Sequence, residues 1–303
     1  MADLRSPWAK LRRNPAAITA AAILLAIAAL AIAGPELLPA NSGAVSRQSF
    51  LSPSWAHPFG TDLNGRDLLY RVLLGAQISL LVGIAGASVS FLVGTTYGLI
   101  AGYLGGRVDS LMMRFVDILY AIPRLIFLLV LISAVDPILR GFLATHGLPA
   151  LVGYSKILIL IACLGCTEWL TMARIIRGQV LSLKSQDFIL AARSIGQSHA
   201  NILFQHLLPN LVGVAIVYLT LTVPSVILDE SFLSFLGVGV QAPLASWGLL
   251  LSDAAQVINP IKGYWWLLLF PAAAMCMTLL ALNFLGDGLR DAFDPRSKLG
   301  HDK

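Results

Sequence analysis

Charge is what this 303-residue sequence has least of. Asp, Glu, Lys and Arg make up 12% of it, about half the quarter usual in a soluble domain. Hydrophobic residues make up 57%, and the mean hydropathy is +0.79. A chain of this length has too little polar surface to stay in water, so lipid must be its solvent. Cysteine is also scarce: Cys163, Cys166 and Cys276 all lie in apolar segments. Cys163-x-x-Cys166 has no second pair with which to build a metal or redox centre, so its sulfurs are expected to pack as apolar groups. No G-x-x-x-x-G-K-[ST] occurs to cradle a phosphate, and neither H-E-x-x-H nor G-x-S-x-G is present. The five histidines are scattered. Gly237-Val-Gly239-Val-Gln-Ala242 imitates a dinucleotide turn but runs into Pro243 rather than a helix. The net charge of +5 is not laid out in a stripe that follows a phosphate backbone, so no nucleic-acid partner is expected. Soluble domains, low-complexity tracts and clear repeats are also missing.

Long apolar runs are what the sequence does have. A hydrocarbon core about 30 Å thick needs about 20 apolar residues as a helix. Six segments qualify: 16–33, 78–103, 116–135, 157–172, 211–236 and 265–285. The expected fold is therefore all-α, a polytopic membrane protein with six transmembrane helices. Pro123 and Arg124 interrupt the third segment near one end, so its first turns are expected at an interface. The first segment ends in Ala31-Ile32-Ala33, which imitates a signal-peptide cleavage site. Its apolar run exceeds the roughly 7–15 residues of a signal core, which favours an uncleaved helix.

Six spans place both termini on one side. With the amino terminus inside, fifteen Lys and Arg fall inside and six outside, in the sense of the positive-inside rule. The expected organisation is a cytoplasmic tail over 1–15, a first helix over 16–33 and an extracytoplasmic stretch over 34–77. A five-helix core over 78–287, with a cytoplasmic loop over 177–209, and a cytoplasmic tail over 288–303 complete it. Within the outer stretch, Gly60 and Gly65 suit tight turns and Asp62 suits a helix cap. Two further outer loops are expected over 136–156 and over 237–263, the latter with Trp247, Pro243 and Pro260. Trp265 and Trp266 fall where an aromatic belt belongs.

The second span carries Gly86, Ser90, Gly94, Gly98 and Gly102, one small residue every four. That spacing draws a single smooth face on which another helix backbone can lie closely.

The stretch 174–210 has a helical grammar of its own. Ser185 is expected to cap a helix from Gln186, with Asp187 favourably in the first turn. Phe188, Ile189, Ala191, Ala192 and Ile195 keep one side apolar, and Gly196 ends the helix in the left-handed conformation. Ser198 then caps a second helix over 199–208, before Pro209. Small Ala191 and Ala192 suit entry into a partner's groove. A helix lying on the membrane surface is the competing reading, but such helices carry more Lys and Arg than the lone Arg193.

The run Gln186-Asp-Phe-Ile-Leu-Ala-Ala-Arg-Ser-Ile-Gly196, followed by His206-Leu-Leu-Pro-Asn210, resembles the EAA loop of ATP-binding-cassette importer permeases. Three more stretches are similar to the dipeptide and oligopeptide branch, the C-type permeases of the peptide and nickel group. They are His57-Pro-Phe-Gly-Thr-Asp-Leu-Asn-Gly-Arg-Asp67, Leu233-Ser-Phe-Leu-Gly-Val-Gly239 and Asn283-Phe-Leu-Gly-Asp-Gly-Leu-Arg-Asp-Ala-Phe-Asp-Pro295. Ala173-Arg-Ile-Ile-Arg-Gly178 also fits. The sequence departs from the family at Leu190, where the glutamate that names the loop usually stands, and at Gln77 and Tyr70. The resemblance implies a type I importer transmembrane domain, one half of a path for di- or oligopeptides. It implies a second homologous permease, two ATP-binding subunits that hold ATP and Mg, and an extracytoplasmic substrate-binding protein. It places the coupling to those ATPases on Asp187, Leu190, Ala191, Ala192, Arg193 and Gly196. The chain itself is then no enzyme and binds no cofactor. Nickel complexes, glutathione and oligosaccharides are the alternative cargoes.

Ionisable residues within spans default to functional hypotheses. Glu168, followed by Arg174 and Arg177, reads as part of an ion pair at a helix end. Asp229 and Glu230 read either as bonded to neighbouring helices or as facing a water-filled path, where they would attract a cationic group such as a peptide amino terminus. An ion-coupled secondary transporter is the competing class. It would show broken helices and charge near the bilayer midplane.

Overall fold

The computed structural model describes residues 7–39, 41–257 and 263–293. Pro260 and Pro295 lie outside the described residues, as do the tail beyond 293 and five of the 21 Lys and Arg assigned to the two sides, Arg5, Arg296, Lys298 and Lys303 of the inside set and Lys262 of the outside set. Among the described residues the secondary structure is helical, apart from an isolated bridge between Thr61 and Asp67. Six helices among the described residues are long and apolar enough to cross a membrane.

In chain order, α1 (Pro7–Leu11) and α2 (Pro15–Leu37) meet at Asn14. The Asn14 side chain accepts from the Ala16 and Ala17 amides at 3.1 and 3.2 Å, and Pro15 opens the helix. An Asn cap followed by proline satisfies amides that the first turn leaves orphaned. Then come α3 (Leu68–Leu104), α4 (Gly106–Ala121), α5 (Arg124–Thr145), α6 (Pro149–Val152) and α7 (Ser155–Lys184). The short α8 (Asp187–Ser194) and α9 (His199–Asn201) lead through π-helical turns, Ile202–Leu207, into α10 (Leu208–Phe235). The chain closes with α11 (Trp247–Val257) and α12 (Trp265–Phe293).

Several sequence expectations are corrected here. The segment 116–135 is not one span, because the chain breaks at Ile122 and Pro123 into amphipathic α4 and apolar α5. Proline cannot donate to the preceding turn and clashes with it. The stretch 136–156 is mostly helix rather than loop, since α5 runs to Thr145 and α6 follows. The loop over 237–263 contains α11. Asp62 caps no helix. Its carboxylate instead accepts from the Asn64 and Arg66 amides at 2.8 Å, and Asp67 caps α3 through the Tyr70 amide. The helix after Ser198 does not stop at Pro209. The Leu208 amide reaches back to the Leu203 carbonyl, and this wider turn relieves the clash of Pro209 with the Gln205 carbonyl.

The small-residue face of α3 is filled by α7 of the same chain. A Cβ on Gly94 would lie 2.6 Å from Met172 Cβ, on Gly98 2.4 Å from the Ala173 carbonyl oxygen, and on Gly102 2.8 Å from Val180 Cβ. Gly86 faces Val226 of α10 as well, and Ser90 is buried. Gly165 of α7 reciprocates against Val89. The two backbones therefore touch along several turns, which is how helices associate where lipid removes the hydrophobic drive.

Both described ends share one side of the bundle. The Trp8 ring packs edge-on to Phe293 at 6.1 Å, and Phe293 lies against Gly213 near the start of α10. The α8–α9 connection is therefore on the terminal side. On the opposite side, residues 41–67 form a cap over α12. Phe50 stacks on Tyr264 at 4.2 Å and Phe59 on Phe270 at 3.9 Å. Gly60 and Gly65 both take positive φ there. Arg71, buried at the start of α3, bonds Asp62 at 2.9 Å and Asp253 at 3.0 Å, so one guanidinium pins the cap and α11 together. Trp247 anchors α11: it is fully buried, and its indole N–H donates to the Val72 carbonyl at 3.2 Å. Trp247→Ala is expected to cost about 3–5 kcal/mol, read as a lowered midpoint of thermal unfolding in detergent. An unchanged midpoint would mean that α11 is held by other contacts.

Candidate functional site

Two features of the fold carry chemistry beyond packing. The first is the connection between α7 and α10. Gln186, not Ser185, occupies the cap position of α8, and its side chain makes no cap bond. The Ser185 hydroxyl donates to the Ser182 carbonyl behind it instead. At the other end, Gly196 has φ +78°. The Gln197 amide donates to the Ala192 carbonyl at 3.1 Å and the Gly196 amide to the Arg193 carbonyl at 3.0 Å. These are the two bonds of a glycine-terminated helix end. The Ser198 hydroxyl oxygen then accepts from the Asn201 amide at 3.3 Å, so α9 starts where the sequence places it.

This connection is fastened to the bundle by a few residues. Ile189 and Ala192, one turn apart on α8, are buried in a cluster with Val180, Ile202, Leu207 and Leu211. The sequence reading put Ala192 on the surface. The structure turns it inward, because i and i+3 share a face. Asp187, Leu190, Ala191, Arg193 and Gly196 are exposed. Arg193 lies 5.7 Å over the Tyr103 ring. The Tyr103 hydroxyl bonds His199 Nδ1 at 2.6 Å, and Lys184 donates to the Tyr103 carbonyl at 2.5 Å. Gln197 and His206 join α8 to the π turns at 2.7 Å. Outward, the connection shows Phe188 (38% exposed), Leu190 (48%), Ile195 (75%) and Phe204 (65%). Phe188, Ala191 and Ile195, read from the sequence as part of one apolar side of α8, are on its open side, Ala191 as its groove-entry reading requires, while Ile189 of the same set is buried. Large apolar side chains gathered on and beside a short helix between two candidate spans mark a contact surface.

The second feature lies inside the bundle, at the break between α4 and α5. Here sequence reading missed the partners, because they are far apart along the chain. Arg124 bonds Glu168 of α7 at 2.5 Å and also pairs with Asp229 of α10. Glu168 therefore does not pair with Arg174 or Arg177. Those two reach α4 instead, Arg174 to Asp117 at 2.5 Å and Arg177 to Asp109 at 2.5 and 2.7 Å. Arg124 was counted with the terminal side, yet its partner Glu168 stands near the middle of the 30-residue α7, about 24 Å from the Lys184 end at 1.5 Å per residue. A pocket of about 300 Å³ opens at this break, with Tyr120, Pro123, Arg124, Cys166 and Glu168 in its wall. Cys163 is buried as expected, whereas Cys166 is exposed on that wall.

Glu230, next to Asp229, points elsewhere. It is fully buried, with Ser79 at 3.0 Å and Ser234 at 2.7 Å on its carboxylate. Ser79 also accepts from the Trp247 amide at 3.3 Å. Glu230 thus ties α3, α10 and α11 together and faces no opening.

Comparison with known proteins gives the family of the chain. Residues 94–299 match the family described as binding-protein-dependent transport system inner membrane component. Residues 4–53 match the N-terminal transmembrane domain of oligopeptide transport permease C. The chain is 43% identical to a dipeptide transport system permease protein of Bacillus subtilis, over 95% of this chain and 84% of that one. It is 44% identical to an oligopeptide transport system permease protein of Haemophilus influenzae, over 97% and 90%. The corresponding permease of Escherichia coli is 45% identical over 97% and 93%.

Proposed function

The chain belongs to the binding-protein-dependent transport system inner membrane components, and from that premise we propose that it forms half of the path of an ATP-driven peptide importer. It is a transport permease and a multi-pass inner-membrane protein. Its relatives are dipeptide and oligopeptide permeases over most of their length, which supports peptides as its cargo. The terminal side is cytoplasmic in this reading, in keeping with the excess of Lys and Arg there. A second, homologous permease completes the path. Two ATP-binding subunits, which hold ATP and Mg, sit beneath, and an extracytoplasmic binding protein delivers the peptide.

The observation that carries this reading is the exposed apolar side of α8, hung on the terminal side and held by Ile189 and Ala192. Such a helix fits a groove on an ATP-binding subunit. When nucleotide draws the two ATPases together, α8 moves with them, and the spans shift between two packings. A broken span with buried charge would also suit an ion-coupled carrier. The family match over 94–299 together with α8 favours the importer.

The test is purification of the tagged chain in mild detergent with identification of what co-elutes. Wild type is expected to bring two ATP-binding subunits and a second permease. Phe188→Glu is expected to lose the ATPases and keep the second permease, because an unpaired carboxylate would be driven into an apolar groove. Leu190→Glu, which adds the same charge where the EAA loop usually carries glutamate, is expected to keep both. ATPases retained by Phe188→Glu would remove α8 as the docking element. A chain that elutes alone and transports without ATP would establish the ion-coupled class.

A further inference from the structure

The cluster of Arg124, Glu168 and Asp229 has features that a purely structural ion pair does not need. The Arg177–Asp109 pair nearby provides the contrast. There, Nε and Nη2 of the guanidinium meet the two carboxylate oxygens at 2.5 and 2.7 Å. This forked geometry is why arginine is chosen for static pairs. At Arg124 one nitrogen, Nη2, serves both Glu168 and Asp229, and Nε is buried with no partner. The fork is not used. What the two carboxylates receive is a single-point cation, which an ammonium group with three donors supplies equally well.

The surroundings point the same way. One guanidinium faces two carboxyl groups, brought from α7 and α10, so the cluster holds one cationic side chain for two acidic ones. Arg124 is the first residue of α5, where no side chain caps the helix and the helix dipole repels a cation. The carboxylates alone hold it there. The backbone break at Ile122 and Pro123 opens on the pocket. Within a bilayer, non-helical backbone persists where it is buried in protein or lines a water-filled cavity.

We propose that Glu168 and Asp229 form an ammonium subsite on the translocation path, which Arg124 occupies until the free amino group of a substrate displaces it. Arg124 is then both a stand-in cation and a latch. While it bridges, α5 is tied to α7 and α10, and when the substrate amine takes its place α5 is released. The subsite favours cargo with an unblocked primary amine. This rests on the importer reading above, and deepens it by naming the group on the cargo that the membrane subunit recognises.

The test uses the complete transporter, with its ATPases, second permease and binding protein, in proteoliposomes. ATP-driven uptake of a neutral tripeptide is compared with that of its N-acetylated form, for wild type and for Asp229→Asn. Each peptide is scored as variant over wild type, so selection by the binding protein cancels. The free-amine peptide is expected to lose about tenfold or more in initial rate, as for one lost charge-assisted hydrogen bond. The acetylated peptide should stay within about twofold. Equal losses for both peptides would make Asp229 a structural tie, and no loss for either would mean the carboxylate is not contacted. Both outcomes overturn the proposal. Wild type that takes up neither peptide would overturn the importer reading itself.

A second measurement leaves the cluster intact. Cys166 lies exposed on the pocket wall, and in a Cys276→Ser background a charged, membrane-impermeant thiol reagent reports on access to it. The free-amine peptide is expected to slow its alkylation severalfold, and the acetylated peptide to leave it unchanged. Equal rates with and without peptide, or a Cys166 that does not react at all, would overturn the subsite.

Discussion

A leucine at Gly98 is expected to leave almost no folded protein in the membrane fraction. A Cβ there would stand 2.4 Å from the Ala173 carbonyl oxygen, and 3.0 Å from both the Arg177 amide nitrogen and Ile176 Cβ. Two of these three atoms are helix backbone, which cannot rotate out of the way as the end of a side chain can. The only relief is to move α3 and α7 apart by an ångström or more. That would also undo the contacts at Gly94, Gly102 and Gly165, because all four glycines lie along the same line of approach. Overpacking by a methylene or two costs about 1–3 kcal/mol in a soluble core. Here the cost repeats over several turns, and no hydrophobic drive pulls the helices back together. The control is Gly178→Leu on α7, where a Cβ meets nothing within 4 Å and normal yield is expected. The measurement is the monodisperse fraction on size exclusion and the unfolding midpoint in detergent. Equal yields from the two variants would mean that the close approach of α3 and α7 is not what holds the bundle.

That face was legible in the sequence because its repeat is local: five small residues at steps of four draw one line on a helix whatever lies opposite. The partner was not, because of the two glycines of α7 Gly178 faces away and Gly165 alone meets α3, the rest of the contact being made by ordinary residues such as Ala173 and Val180. The same division holds elsewhere. The end of α8 at Gly196 and the cap at Ser198 follow from local backbone chemistry, and the sequence states them. Which side of α8 packs does not, because residues 188–192 are apolar all round. The choice of Ile189 and Ala192 is made by Val180, Ile202 and Leu207. The span read over 116–135 fails for a related reason. Its first residues are the apolar face of amphipathic α4, and hydropathy alone cannot separate them from the α5 span beyond Pro123.

Charge partners were the least legible part. Arg124 meets Asp229 across 105 residues and Glu168 across 44, and no spacing rule reaches that far. The sequence did single out Asp229, on the ground that a carboxylate inside a span needs an explanation. What it could not supply was the cation, or the fact that adjacent Glu230 faces away among serines. Consecutive residues on a helix point about 100° apart, so Asp229 looks toward α5 while Glu230 looks toward α3 and α11.

Valine at Gly196 is expected to abolish coupling and leave the chain itself intact. A Cβ at this position would meet nothing within 4 Å, so crowding plays no part and the whole effect comes from φ +78°. An L residue held in the left-handed region loses about 1–2 kcal/mol, and a β-branched one fares worse. The chain avoids that cost by leaving the turn, which breaks the bonds from Gln197 to Ala192 and from Gly196 to Arg193 and swings α8 away from α9. Because α8 touches the bundle mainly through Ile189 and Ala192, the spans do not depend on it, and the amount of folded permease should be unchanged. Peptide uptake by the assembled transporter is expected to fall by more than about tenfold, the factor that corresponds to 1.4 kcal/mol. Asparagine, which enters the left-handed region more readily than other side chains, is expected to keep roughly half or more of the wild-type rate. The measurement is ATP hydrolysis and uptake together in proteoliposomes. Hydrolysis that persists while uptake fails is the signature of a lever that no longer transmits. If valine and asparagine behave alike, the angle set at Gly196 is not what aims α8, and its packing on Ile202 and Leu207 must do so instead.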